Sequence, residues 1–275
     1  MVRIERLSSV EQLKECEAVQ RSIWGSEPIP ATLLRAIQDN GGLVLGAYDE
    51  QEKMVGMLVG FLGRREGKLI HYSHICGVLE EARYRDIGFQ LKLAQREFAL
   101  SQGLDLVLWT FDPLQGANAY FNLHKLGAVC RTYYRNYYGL MEDRLNAGLE
   151  SDRFLAEWWI RSERVEASIS GRRAASTLAE LMSQGAKLVT KTRPLRSGMR
   201  AIISYGLDVE APALLIEIPD NINALKEQSL EAAREWRRAT REIFEHYFAK
   251  GYIATDLLSE RAGATRRNYY LLERG

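Results

Sequence analysis

The chain has 275 residues, of which 46% are hydrophobic and 27% charged, enough to bury a core in one large domain or two modest ones. Its 37 Lys and Arg nearly cancel its 36 Asp and Glu, leaving +1, a balance that gives no field for steering onto nucleic acid or an anionic membrane. Cys16, Cys76 and Cys130 are odd in number and form no CxxC pair, which argues against a disulfide framework or zinc knuckle, so no metal is expected. No apolar run reaches the roughly 18 residues of a membrane span. The opening Met1-Val2-Arg3-Ile4-Glu5 lacks the apolar stretch of a signal peptide, so the expected location is the cytoplasm.

Alternation over 2–7 predicts a short strand, and Ser8 and Ser9 offer caps for a helix running toward Trp24. Pro28 and Pro30 lead into a second helix over 31–39, which stops at Gly41-Gly42. Apolar runs over 43–48 and 54–62, joined by the polar turn 49–53, predict a hairpin, and a third run follows over 68–79. Ile87, Leu91, Ala94 and Phe98 fall on one face of a helix that begins near Gly88 and ends near Gly103. The nearly continuous apolar run 104–111 predicts a strand covered on both faces, and a short helix over 118–125 is closed by Gly127.

A tyrosine-rich strand follows over 129–138. Further strands are expected over 153–160, 187–192, 201–205, 214–218, 252–257 and 268–272. Before the last two, Leu225, Ala232, Trp236, Ala239, Ile243 and Tyr247 mark one stripe of a long helix. The arginines of that helix, Arg234, Arg237, Arg238 and Arg241, are expected to form its solvated face. Small polar residues gather over 163–171, where a boundary is expected.

The segment around residue 80 carries the clearest chemistry. A strand feeds a polar turn and then a helix, and a helix N-terminus binds phosphate through its unpaired amides and partial positive charge. Gly88 at that turn lets an anion approach the backbone, and Arg83 and Arg85 add positive charge. Here Arg85-Asp86-Ile87-Gly88-Phe89-Gln90 resembles the Q/R-x-x-G-x-G/A pyrophosphate signature of the GNAT (GCN5-related N-acetyltransferase) superfamily. It matches at Arg85 and Gly88 and departs at Gln90. Downstream, 118–127 resembles the family's N-x-x-A-x-x-L-Y-x-K-L-G segment, with Lys125-Leu126-Gly127 fitting and Leu123 standing where a tyrosine is usual. The family's asparagine does not fall on Asn118.

The resemblance covers roughly residues 1–160 and implies an α/β (α+β) fold, a central mixed and mostly antiparallel sheet flanked by helices. Residues 1–162 then form an acyl-CoA-binding catalytic domain, and 163–275 a smaller C-terminal α+β region that extends or covers the sheet. The implied co-substrate is an acyl-CoA, acetyl-CoA or succinyl-CoA. Ile75, Cys76, Gly77, Val78, Arg83, Arg85, Asp86, Ile87, Gly88, Phe89, Gln90, Asn118 and Asn122 would hold it. The strand segment 75–78 is expected to splay and pair with the pantetheine arm, with Gly77 favouring a bulge.

The implied reaction moves the acyl group to the amine of a small molecule such as an amino acid. The run 152–159 resembles a subgroup linked to that acceptor. His74 falls where some members place a catalytic glutamate, and an imidazole titrates in the range that amine deprotonation needs. Cys76 lies two residues on, on the same face of a regular strand, and His71 on the opposite one. His124 could stand in for the missing tyrosine, although a surface role is the simpler expectation, and Glu80 and Glu81 are expected in the turn. Tyr133, Tyr134, Tyr137 and Tyr138 could line an acceptor pocket, and Arg161, Arg193, Arg196 and Arg200 could meet a carboxylate. A non-catalytic acyl-CoA-binding or regulatory protein is the alternative that Gln90 and Leu123 favour. Neither a nucleic-acid nor a membrane partner is expected, and a homodimer is allowed.

Overall fold

The computed structural model describes residues 2–139, 141, 148–195, 198–262 and 265–275, without the side chains of 83–85, 262 and 265. Its residues divide by contact into two units, 1–109 and 110–275. The boundary falls inside a strand, whereas the segment 163–171 is largely a helix.

In the first unit the elements run β1 (Arg3–Arg6), α1 (Val10–Trp24), α2 (Ala31–Asp39), β2 (Leu43–Tyr48), β3 (Met54–Arg65), β4 (Lys68–Val78), a 3-10 turn (Glu80–Arg85), α3 (Ile87–Ser101) and β5 (Leu106–Phe111). The strands lie in sequence order, antiparallel except for the parallel β4–β5 step. The start of α1 is fixed by a reciprocal cap. The Ser9 hydroxyl accepts from the Gln12 amide at 3.2 Å, and the Gln12 side chain accepts from the Ser9 amide at 3.0 Å.

Helices cover both faces of this sheet. Leu13, Cys16 and Val19 of α1 and Leu34 of α2 bury with Val44, Met57 and Val59. Ile87 and Leu91 of α3 bury with Leu45, Val55 and Leu58 on the other side. Double coverage is why β2 and most of β3 read as unbroken apolar runs. Gln38 ties α2 to the sheet, donating to Leu7 O at 2.6 Å and accepting from the Val44 amide at 2.8 Å.

The second unit contains α4 (Gly116–Tyr120), a π-helical turn (Phe121–Lys125), β6 (Val129–Tyr134), β7 (Arg153–Trp159), α5 (Glu163–Ile169), α6 (Leu178–Ser183), β8 (Lys187–Leu188), β9 (Thr190–Pro194), β10 (Arg200–Tyr205), β11 (Ala213–Ile218), α7 (Ile222–Gln228), α8 (Leu230–Ala249), β12 (Tyr252–Ala262) and β13 (Thr265–Arg274). Its strand order is β7-β6-β12-β13-β11-β8, antiparallel except for the β11–β8 step. The run read as one strand over 187–192 is two, because β9 leaves to form a separate hairpin with β10. The tyrosine-rich strand ends at Tyr134 and not at 138, its last tyrosines lying in the following turn. Helix α8 presses Phe244 against Phe154 and Tyr270, with ring centroids 4.7 and 5.1 Å apart, and its Trp236 indole donates to Arg200 O at 3.0 Å. Both units are thus mixed, mostly antiparallel sheets flanked by helices.

Candidate active site

Strand β4 changes register halfway along. Val59 opposes Ile75 and Gly60 opposes Ser73, so His74 is the extra residue of a β-bulge. Such an insertion flips the alternation beyond it. Ser73 and Cys76 therefore both face α3, while Ile75 faces α1. His74 instead lies against Phe61, ring centroids 6.0 Å apart, beside the Phe61–Tyr72 pair. The expectation of His74 and Cys76 on one face is overturned by this one residue. The bulge is at His74 and not at Gly77, which is small for another reason. A Cβ there would lie 2.7 Å from Trp24 Cη2 and 2.8 Å from Ile23 Cδ1 of α1.

The other edge of β4 is where the strand opens. Its parallel pairing with β5 covers His71 with Val107 and Tyr72 with Leu108, and β4 then continues to Val78. Residues 75–78 keep their antiparallel pairing to β3. After them the chain makes the 3-10 turn and enters α3 through Asp86, whose left-handed backbone (φ 51°, ψ 22°) leaves its carboxylate out of any cap. The amides of Phe89 and Gln90 donate back to Asp86 O at 3.0 Å each, so Ile87 and Gly88 precede the first internal bonds of the helix.

Gly88 has ordinary helical room around it. The nearest atom to a Cβ placed there is Val78 Cγ2 at 3.9 Å, so nothing in the chain's own packing demands glycine. The side chains of Arg83 and Arg85 lie outside the described residues. Glu80 and Glu81 are exposed turn residues, with Glu81 3.6 Å from Lys53.

Two titratable groups lie on this strand, His71 buried and His74 exposed. His71 is fully buried, edge-on to Phe98 of α3 with centroids 5.8 Å apart, and neither ring nitrogen has a hydrogen-bond partner. Burial, and then the nearby Lys92, push it down to about 4, so it is neutral at pH 7. His74 is lowered too, in its case by partial desolvation.

Lys92 is the residue that periodicity concealed, because it sits in the polar-looking register of α3. Its ammonium donates to Ser73 Oγ at 3.1 Å and Gln95 Oε1 at 2.9 Å, and lies 3.6 Å from the centre of the Trp109 ring. Burial brings it down to about 7. The only sequence signal was a lysine one residue from the apolar stripe.

In the second unit, Asn118 and Asn122 hydrogen-bond to one another at 3.3 Å, and Asn122 is buried. The turn over 121–125 that follows Asn118 is π-helical, one residue wider per turn than an α-helix. His124 is not a bare surface residue. It stacks on Tyr120 at 4.7 Å, and its Nδ1 is 3.1 Å from Asp256 Oδ1. Arg173 donates to the other Asp256 oxygen at 2.6 Å. A carboxylate on Nδ1 fixes the imidazole's orientation, the arrangement used by acid–base histidines.

Tyr134 stacks on Tyr137 and Tyr138 meets Tyr137 edge-on, each pair with centroids 4.8 Å apart, while Tyr133 instead donates to buried Asp152 at 2.5 Å. Of the arginines offered for a carboxylate, Arg200 is already within 3.0 Å of buried Glu217, and Arg196 lies outside the described residues.

No protein-family model matches the sequence, and no curated protein matches it. The chain resembles solved GNAT acetyltransferases. One is the ribosomal-protein-S18-alanine N-acetyltransferase of Escherichia coli, with 14% identity, 59% of this chain and 96% of that one covered, and a TM-score of 0.48. Another is Arabidopsis thaliana NAA60 in complex with a bisubstrate analogue, with 14% identity, 58% and 98% covered, and a TM-score of 0.47. A third is a GNAT-family acetyltransferase from Streptococcus pneumoniae, with 14% identity, 57% and 98% covered, and a TM-score of 0.46. Among the described residues no helix is long and apolar enough to cross a membrane, and no group of three or more His, Cys, Asp or Glu is arranged to hold a metal ion.

Proposed function

We propose that this chain is an acyl-CoA-dependent N-acyltransferase, transferring an acetyl or larger acyl group such as succinyl to the amine of a small molecule. The observation that carries the reading is the open edge of β4 next to the start of α3, with unobstructed space at Gly88. The amides of Ile87 and Gly88 would hold the CoA pyrophosphate, which the helix dipole favours. The main chain of 75–78 would meet the pantetheine arm. Residues 1–162 are read as the catalytic region and 163–275 as its α+β extension.

The chemistry needs a base, because an amine is mostly protonated at pH 7. His74, kept neutral by partial desolvation, takes the proton directly or through one water. The freed lone pair attacks the thioester carbonyl, the C–S bond breaks, and the CoA thiolate leaves and is reprotonated.

The test is thiol release from acetyl-CoA and succinyl-CoA with a panel of amino acids, small amines and a peptide with a free N-terminus. Amine-dependent release supports the transferase. CoA binding without release from any member supports the alternative, an acyl-CoA-binding or regulatory protein. Gly88→Val separates both from a misplaced site. It is expected to weaken CoA binding at least tenfold, about 1.4 kcal/mol, and unchanged calorimetric affinity in the folded variant would show that the cofactor lies elsewhere.

A further inference from the structure

Of the four arginines of α8 expected on a solvated face, Arg234 and Arg238 are exposed, whereas Arg237 and Arg241 are engaged in the interior of the second unit. Arg237 is 3% exposed and grips Asp112 with both terminal nitrogens, at 2.8 and 2.5 Å. Arg241 grips buried Asp152 through Nε and one terminal nitrogen, at 2.8 and 2.7 Å, and also bonds Glu150. At positions 234, 237, 238 and 241 these side chains share one helical face.

Two features of this ladder are unaccounted for by those pairs. Arg234 and Arg238 are exposed and have no ion pair among the described residues. Arg237 retains a buried Nε–H with no acceptor, and a buried donor left unmatched costs about 1–3 kcal/mol. All three line one cavity of 310 Å³, with Gly148, Leu149 and Glu150 as the other wall. Glu150 is the only carboxylate among these lining residues, and with Arg237 matched by Asp112 the exposed Arg234 and Arg238 still leave the lining net positive.

We propose that this cavity is an anion-binding site, in which Arg234, Arg237 and Arg238 hold the phosphate or carboxylate group of a small organic ligand. A guanidinium fork matches either group in two-point fashion. At about 30 Å³ per water the cavity exceeds a bare inorganic ion severalfold, and Leu149 supplies an apolar wall for the ligand's body. The site is independent of the acyl transfer proposed above and stands whether or not that reading holds.

Calorimetric titration with phenyl phosphate, benzoate and uncharged benzyl alcohol tests it. At least one anion is expected to bind in the millimolar range or tighter, benzyl alcohol to bind at least tenfold more weakly, and the tighter anion names the ligand class. The exposed pair Arg234→Gln/Arg238→Gln should weaken the anion at least tenfold while leaving circular dichroism unchanged. Arg234→Lys/Arg238→Lys, which keeps the charge, should restore part of the affinity. Gly88→Val should bind the anions as the wild type does, which separates this site from the α3 cradle. Failure of both anions to bind at millimolar concentration overturns the proposal. So does unchanged affinity in the Gln pair, or equal binding of benzyl alcohol.

Discussion

Lys92 in the first unit and Arg237 in the second are each 3% exposed, yet burial leads them in opposite directions. Lys92 is held by a hydroxyl, an amide oxygen and an indole face, and desolvation brings it down to about 7. For Arg237 desolvation works the same way, but the carboxylate of Asp112 outweighs it and holds the guanidinium above its ordinary value. Burial alone therefore does not decide whether a cation survives in a core. The chemistry of its nearest partners does, because only a formal negative charge repays desolvation of this size. The first unit keeps a lysine brought down to about 7 under the proposed reaction strand, and the second keeps permanent charges that fix its architecture.

If that contrast is functional, the largest effect on rate belongs to the first unit. His74→Ala should lower turnover by about 10²–10⁴-fold with CoA affinity nearly intact. Because His74 is lowered by burial, the acidic limb of the pH–rate profile should lie below 6.5 and flatten in the variant. Near-normal turnover would return His74 to a packing role against Phe61 and move the search for the base to Glu80, Glu81 or a water chain.

The largest effect on stability belongs to the second unit. Asp112→Ala strands the Arg237 charge in the core and should cost about 3–5 kcal/mol in denaturant unfolding. A loss below about 1 kcal/mol, the value of a surface pair, would mean that the pair is solvated and the contrast false.

Lys92 tests the other half of the comparison. Its folded value of about 7 lies below the 10.5 of the free side chain, so between those pH values the unfolded chain binds the extra proton. Stability should therefore rise with pH across this window by about 1.4 kcal/mol per unit. Lys92→Met should remove that slope relative to the wild type, and parallel pH–stability curves for the two proteins would show that Lys92 stays charged.

The smallest effect should be shared by both units. Ser9 and Thr177 cap α1 and α6 with the same geometry, each hydroxyl accepting an amide at 3.2 Å. Ser9→Ala and Thr177→Ala should each cost about 1 kcal/mol. Unequal losses would place part of the difference between the units in local helix ends and not in buried charge.

Local pattern was enough to read the hairpin of β2 and β3, the order β4–turn–α3 and the stripe of α8 that buries Trp236, Ile243 and Tyr247, because each depends on neighbours within a turn or a strand pair. The proposal that Gly88 faces a ligand rests on the same local order. What the sequence could not disclose were features that need a distant partner. The bulge at His74 is defined only by pairing with Val59 and Gly60, and it decides which face every later residue of β4 takes. Arg237 and Arg241 of α8 read as solvated, like the exposed Arg234 and Arg238, because a charge on a helix looks alike with or without a carboxylate behind it. Asp112 and Asp152 are 125 and 89 residues away from their guanidinium partners. Periodicity thus determined where helices and strands run, and tertiary structure decided which polar side chains are buried and so what charge they carry. The reason is that desolvation and ion pairing depend on distance in space, and spacing along the chain does not report it.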